Sequence, residues 1–160
     1  MCFCCKTTEQ IYQIGLKLSY QVSPGVNDSI SKLSKSDIKT FIQALKVFKR
    51  AADDEHPGAS YQFGLAVWKC INSTAIEAID NEFSDTFLEQ WEFFALDKPN
   101  GCLDFHRALA QKYLRLANNS QFPGAEHALK QIKSYAQQKN NHKGEIDLTA
   151  SYQGNDIIKF

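Results

Sequence analysis

Residues 41 to 65, FIQALKVFKRAADDEHPGASYQFGL, and residues 107 to 131, RALAQKYLRLANNSQFPGAEHALKQ, share one pattern: a helical stretch, a short break, and a second helical stretch opened by Pro-Gly-Ala. In the first, Phe41, Ala44, Leu45, Phe48 and Ala52 fall at i, i+3, i+4, i+7 and i+11, the buried stripe of an α-helix. Lys39, Gln43, Lys46, Lys49 and Arg50 lie opposite, so the outer face is basic. Pro57 disfavours the helical conformation in the residue before it and suits the first turn of a new helix, which places the break at residues 54 to 56.

Setting Pro57-Gly58-Ala59 on Pro123-Gly124-Ala125 fixes an offset of 66 residues. Ala44 then falls on Ala110, Val47 on Tyr113, Phe48 on Leu114 and Ala51 on Ala117. Matched small residues let helices approach, and matched large ones fill the gaps between them. The basic positions match too, Lys46 with Lys112 and Lys49 with Arg115.

The rest of the chain reads as further helices and loops. Ile11, Ile14 and Leu18 predict a packing helix over residues 7 to 20, and residues 21 to 36, rich in Ser, Asn, Pro and Gly, predict a loop. Ser34 or Ser36 caps the next helix, with Asp37 in its first turn. The helix from Pro57 to about Ile71 has one apolar stripe of Ala59, Phe63, Ala66 and Cys70 and a second of Tyr61, Leu65 and Trp68. Gly64 costs ~1 kcal/mol in a helix interior and is explained by close approach of another helix. Ser73 and Thr74 with Glu77 give a capping-box pattern, followed by a stripe of Ile76, Ile79, Phe83, Phe87, Trp91 and Phe94 up to a turn at residues 98 to 101. A fifth helix runs from about Leu103 to Ala117, and a sixth, opened by Pro123, carries Ala125, Ala128, Leu129, Ile132 and Ala136. Residues 139 to 160 are a polar tail in which Ile146-Leu148 and Ile157-Ile158 form a weak hairpin or order only against the body. The expected fold is all-α, a short stack of about six helices, divided as 1–35, a helical-repeat domain 36–138, and 139–160.

Charge and cysteine usage exclude several classes. Eighteen Lys and Arg balance eighteen Asp and Glu over 160 residues, so no net field draws nucleic acid, and none is expected as a partner. No apolar run approaches the ~20 residues that span a bilayer, which predicts a soluble chain. Five cysteines, three of them at positions 2, 4 and 5, do not form a disulfide framework, and a reducing, cytoplasmic setting follows.

Three constellations carry chemistry in principle. Cys2, Cys4 and Cys5 beside Lys6 suit reversible S-acylation, and hence membrane association, or a soft-metal site that lacks a spaced fourth ligand, or an ordinary terminus. Asp53, Asp54, Glu55 and His56 are a turn whose four consecutive side chains do not converge, so no metal or cofactor is expected there. Cys70 or Cys102 with His106 or His127 would make a cysteine nucleophile and base, although no family sequence frames either thiol and core packing is the plainer role.

The run from Ala44 to Leu65, with Ala51-Ala52, His56-Pro57 and Ala59-Ser60-Tyr61-Gln62-Phe63-Gly64-Leu65, resembles a Sel1-like repeat, a relative of the tetratricopeptide repeat. The second copy is similar from Ala110 to Leu129 and departs at Asn118 and Lys130, where Ala52 and Gly64 stand in the first. Together they cover less than half of the chain. The resemblance implies stacked antiparallel helix pairs that act as protein-binding adaptors, often in bacterial signalling and host interaction, whether in the cytoplasm or secreted into a host cell. Lys46, Lys49, Arg50, Lys112 and Arg115 would then meet a carboxylate terminus or an acidic peptide through charge-assisted hydrogen bonds, if they are more than a solvated face. A stack this short needs its ends covered, by flanking helices or by a second copy of the chain as a homodimer.

Overall fold

Side chains that satisfy the free amides of each first turn set where the helices begin. In a computed structural model of the protein, which describes residues 6–22, 33–83, 102–135 and 137–138, α1 (Thr8–Gln21) opens at Thr7. The Thr7 hydroxyl accepts from Gln10 N–H at 3.2 Å, and Gln10 Oε1 accepts from Thr7 N–H at 3.0 Å, a reciprocal capping box. Ser34 opens α2 (Lys35–Asp53) by accepting from Asp37 N–H at 3.1 Å. His56 opens α3 (Pro57–Lys69), its Nδ1 accepting from Ala59 N–H at 3.1 Å. A 3-10 turn at Cys70–Asn72 follows, then α4 (residues 76–83), α5 (Cys102–Asn119) and α6 (residues 125–135). Every regular element among the described residues is helical, so the fold is all-α. No described helix is long and apolar enough to cross a membrane.

The two connections at the offset of 66 are built alike. Glu55 N–H donates to Ala52 C=O at 3.0 Å and His56 N–H to Ala51 C=O at 3.0 Å. At the matching places Gln121 N–H donates to Asn118 C=O at 2.9 Å and Phe122 N–H to Ala117 C=O at 3.0 Å. Both are Schellman ends, and each puts a non-glycine residue in the left-handed region, Glu55 at φ 62° and Gln121 at φ 56°. The entries to the second helices differ. Pro57 and Gly58 lie inside α3, whereas Pro123 and Gly124 form a turn, with Gly124 at φ 85°, and α6 begins only at residue 125. His56 supplies a ring nitrogen that caps Ala59 N–H, and Phe122, in its place, has no acceptor to offer.

One core joins all the elements. Phe41, Ala44, Leu45, Phe48 and Ala52 of α2 are buried together with Ala59, Phe63 and Ala66 of α3, Cys70 of the 3-10 turn, and Leu109, Ala110, Tyr113 and Leu114 of α5. Helix α1 belongs to it through Ile11 and packs against α2. Helix α1 packs on α2, α2 on α3, and α3 on α5.

Two of those contacts repeat. A Cβ on Gly64 of α3 would stand 2.8 Å from Leu114 Cγ and 2.9 Å from the Ala110 carbonyl oxygen of α5. A Cβ on Gly15 of α1 would stand 2.6 Å from Cε1 of Phe48 in α2, and Phe48 matches Leu114 at the offset. Tyr12 of α1 stacks on His56, centroids 4.4 Å apart, and lies over Gly58; Tyr61 of α3 stacks on Phe122 at 5.1 Å and lies over Gly124. Tyr12-Gln13-Ile14-Gly15-Leu16 and Tyr61-Gln62-Phe63-Gly64-Leu65 are therefore equivalent segments, and α1 stands to α2 as α3 stands to α5.

Helix α4 starts later than its capping pattern suggests. Ser73 accepts from Ala75 N–H at 3.2 Å, two residues on, and Ala75, Ile79 and Phe83 are buried. Phe87, Trp91, Phe94, the turn at 98 to 101, the loop at 23 to 32, Ala136, the tail at 139 to 160 and Cys2, Cys4 and Cys5 lie outside the described residues.

The Gly64 contact predicts that Gly64→Ala destabilises the protein. Overpacking against a carbonyl costs about 1–3 kcal/mol and outweighs the ~1 kcal/mol gained in helix propensity. A lower urea midpoint with an unchanged slope is the expected result, and a midpoint at or above that of the parent would show that α5 yields. A second prediction concerns acid. The Glu9 carboxylate accepts from the Gln13 amide at 2.7 Å and faces His56 Nε2 at 2.9 Å, which holds it below the ordinary value of 4.5. A depressed folded value means that its contribution is present above pH 4.5 and fades as the pH falls through the lowered value. Glu9→Gln should therefore flatten the acid limb of the melting temperature against pH, leaving the neutral plateau lower.

Candidate partner-binding face

The basic positions occupy the outer sides of α2 and α5, and what each meets is specific. Lys46 is exposed and its Nζ lies 2.7 Å from Glu82 Oε1 of α4. Lys49, one turn on, is half-buried and pairs with Asp53 Oδ2 at 2.7 Å. Arg50 beside it is exposed. On α5, Lys112 and Arg115 are half-buried, and Lys112 Nζ sits over the Tyr113 ring, 4.8 Å from its centroid.

The two helices are bound through Asp53. Its Oδ1 accepts from the Tyr113 hydroxyl at 2.7 Å while Oδ2 takes Lys49. Tyr113 is fully buried and packs edge-on to Phe63 at 4.7 Å, so one carboxylate at the end of α2 satisfies the single polar atom of a core side chain on α5. Lys49 thus pairs with the Asp53 end of this bond, and Lys112 sits over the ring at its Tyr113 end. The face carries both signs of charge, with Glu82 and Asp53 set among the cations.

The acidic turn does not form a site. Asp53 points to Tyr113, whereas His56 is committed to Glu9, to the Ala59 amide and to the Tyr12 ring. Because His56 Nδ1 accepts, its proton sits on Nε2 and is donated to Glu9. Among the described residues no group of three His, Cys, Asp or Glu side chains could hold a metal ion.

The cysteine readings part in the same way. Cys70 is fully buried, and burial pushes its thiol up to about 12, against a smaller opposing pull from Ser73. It is a neutral packing group at pH 7, because the nucleophile in thiol chemistry is the thiolate. His106 is buried in α5, and His127 is exposed on α6, where its Nε2 meets the Gln131 amide at 3.1 Å. The Cys102 side chain lies outside the described residues.

Two clefts lie beside α3. One, of about 330 Å³, runs between α1 and α3 over α2, and its lining includes Leu16, Ser19, Phe41, Tyr61, Gln62 and Leu65. The other, of about 600 Å³, lies between α3 and α6 and is lined by Trp68, His127, Lys130, Gln131 and Tyr135. Tyr61 and His127 match at the offset, as do Leu65 and Gln131, so like positions line the two clefts with different side chains.

Sequence reasoning missed the Asp53–Tyr113 bond and the Lys46–Glu82 pair. A signal for the first was present: Tyr113 replaces Val47 at the matching core position, and a buried hydroxyl needs a partner. Tyr113→Phe should cost about 1–2 kcal/mol, since a hydrogen bond to a charged group is lost. A double-mutant cycle with Asp53→Asn should show strong coupling in denaturant melts, and additive losses would dissolve the assigned bond. Comparison with protein-family models, with curated proteins and with solved structures finds no match to this chain.

Proposed function

We propose that the chain is a non-enzymatic protein-binding module, an adaptor or inhibitor working in the cytoplasm. In this reading a short stack of Sel1-like helical hairpins offers Lys46, Lys49, Arg50, Lys112 and Arg115 to an acidic segment of another protein. The observation that carries it is the recurrence of one helix-to-helix contact. Gly15 on Phe48 and Gly64 on Leu114, each with a tyrosine lying over the next turn, support a reading in which like units stack. Stacked units build extended faces, and such faces suit partner recognition more readily than they enclose a reaction.

The face formed by α2 and α5 suits an acidic partner because its cations are placed by the fold. Lys49 pairs with the Asp53 end of the Asp53–Tyr113 bond and Lys112 sits over the ring at its Tyr113 end, which limits the side-chain entropy lost when a carboxylate arrives. Burial of Cys70 with a thiol at about 12 removes support from a Cys70-dependent enzyme.

The test is charge reversal at Lys49 and Arg115 together, measured against a partner captured from the native host by the parent chain. Loss of two charge-assisted contacts, about 1.5–3 kcal/mol each, should weaken binding at least tenfold while the fold is retained. Unchanged capture by a folded double variant would sink the proposal.

A further inference from the structure

Helix α4 lies on α2 and α3 in the manner of a bound peptide. Its Glu82 carboxylate meets Lys46 Nζ at 2.7 Å, and both side chains stay open to solvent, at 36% and 51% exposure. One residue on, the Phe83 ring stands edge-on to Phe63 with centroids 5.4 Å apart, and one turn back Ile79 is fully buried. Positions 79, 82 and 83 are i, i+3 and i+4, the anchors of an amphipathic helix laid on a helical surface. Within residues 76–83 of α4, Ile79 and Phe83 are the buried side chains that hold the helix in place.

Charge follows the same division. Between Lys69 and Lys98 the sequence has no Lys, Arg or His, and Glu77, Asp80, Glu82, Asp85, Glu89 and Glu92 all fall in that interval. Helix α2, on which α4 docks, carries Lys35, Lys39, Lys46, Lys49 and Arg50 against Asp37 and Asp53. An exposed ion pair such as Lys46 with Glu82 is worth only about 0.2–1 kcal/mol, so it sets orientation more than it locks the helix in place.

From this we infer that α4 is an internal stand-in for the partner. The external ligand is an acidic amphipathic helix with apolar side chains four residues apart and a carboxylate just before the second, and it takes the place of α4 on Lys46 and Phe63. The inference rests on the binding role proposed above for the same face. Exchange leaves no core uncovered, because the incoming apolar residues refill what Ile79 and Phe83 vacate. A tethered competitor acts at high effective concentration, and apparent affinity falls by the fraction of molecules whose face is open. The resting chain therefore binds weakly, and loosening α4 strengthens binding.

Fluorescence anisotropy with a labelled synthetic peptide of residues 74–97, titrated with the full chain, reads this directly. Glu82→Gln with Phe83→Ala, which loosens α4, should bind the peptide at least fivefold more tightly than the parent, and adding Lys46→Glu should remove the gain. The swapped chain K46E/E82K retains an ion pair and so guards against misfolding of the loosened variant. It should prefer a peptide carrying E82K over the native peptide, reversing the parent's preference. Equal binding by parent and loosened chains, total absence of binding included, overturns the inference, as does an unchanged preference in the swapped chain. If both comparisons are flat while charge reversal at Lys49 and Arg115 still abolishes capture of the native partner, the binding face stands and the internal competitor is excluded.

Discussion

Between α3 and α5 there is no room for a side chain at position 64. The backbone of α3 approaches until the place a Cβ would take is 2.9 Å from the Ala110 carbonyl oxygen, and only glycine permits it. That distance sets everything on either side. It lets Phe63, the preceding residue, reach Tyr113 and Phe83 at once, and it brings Tyr61 over the turn that ends α5. It also holds Tyr113 at the depth from which its hydroxyl meets Asp53. A helix pushed outward by the width of a methyl group would loosen all of these together, since packed interiors have little slack.

Gly15 imposes the same constraint on α1 and α2, and this part of the architecture was harder to see in the sequence. The offset of 66 was legible because Ala44, Ala51 and Ala59 recur as Ala110, Ala117 and Ala125, and all six are buried. The echo of Tyr61 to Leu65 in Tyr12 to Leu16 sits at a spacing of 49, because the chain between α1 and α2 is much shorter than that between α3 and α5. A search at a single period passes over it. Five residues matched in four places, around a glycine with a structural reason to be there, were the available signal. The helix starts at Thr7, Ser34 and His56 were legible to within a residue or two because capping is local, whereas Pro123-Gly124 misled, since the same three letters follow a histidine in one copy and a phenylalanine in the other.

The candidate face was legible as a row of cations and not as a surface. Helical spacing shows that Lys46, Lys49 and Arg50 point outward, but a carboxylate from α4 and the partner of Tyr113 arrive from far along the chain. Asp53 was read as part of a turn, where negative charge is tolerated. In the fold it is the link between two helices, satisfying a buried hydroxyl with one oxygen and the half-buried Lys49 ammonium with the other. Interleaved charges change what such a face can select, because a partner must match the pattern of both signs and not only bring negative charge.

The places where the second copy departs from the first follow from the same geometry. Ala52 is buried at the α2–α3 junction and becomes the exposed Asn118; Gly64, pressed against α5, becomes the exposed Lys130, which pairs with Glu126 at 2.6 Å. Small residues persist where a following helix packs and give way to polar ones where, among the described residues, none does. The outward side of α6 is thus polar, with His127, Lys130, Gln131 and Ser134 exposed, whereas Phe41 and Leu45 are buried between α1 and α3. A repeat decays in its sequence first at the positions that exist only to receive a neighbour, and Gly64 and Lys130 are one such position in two settings.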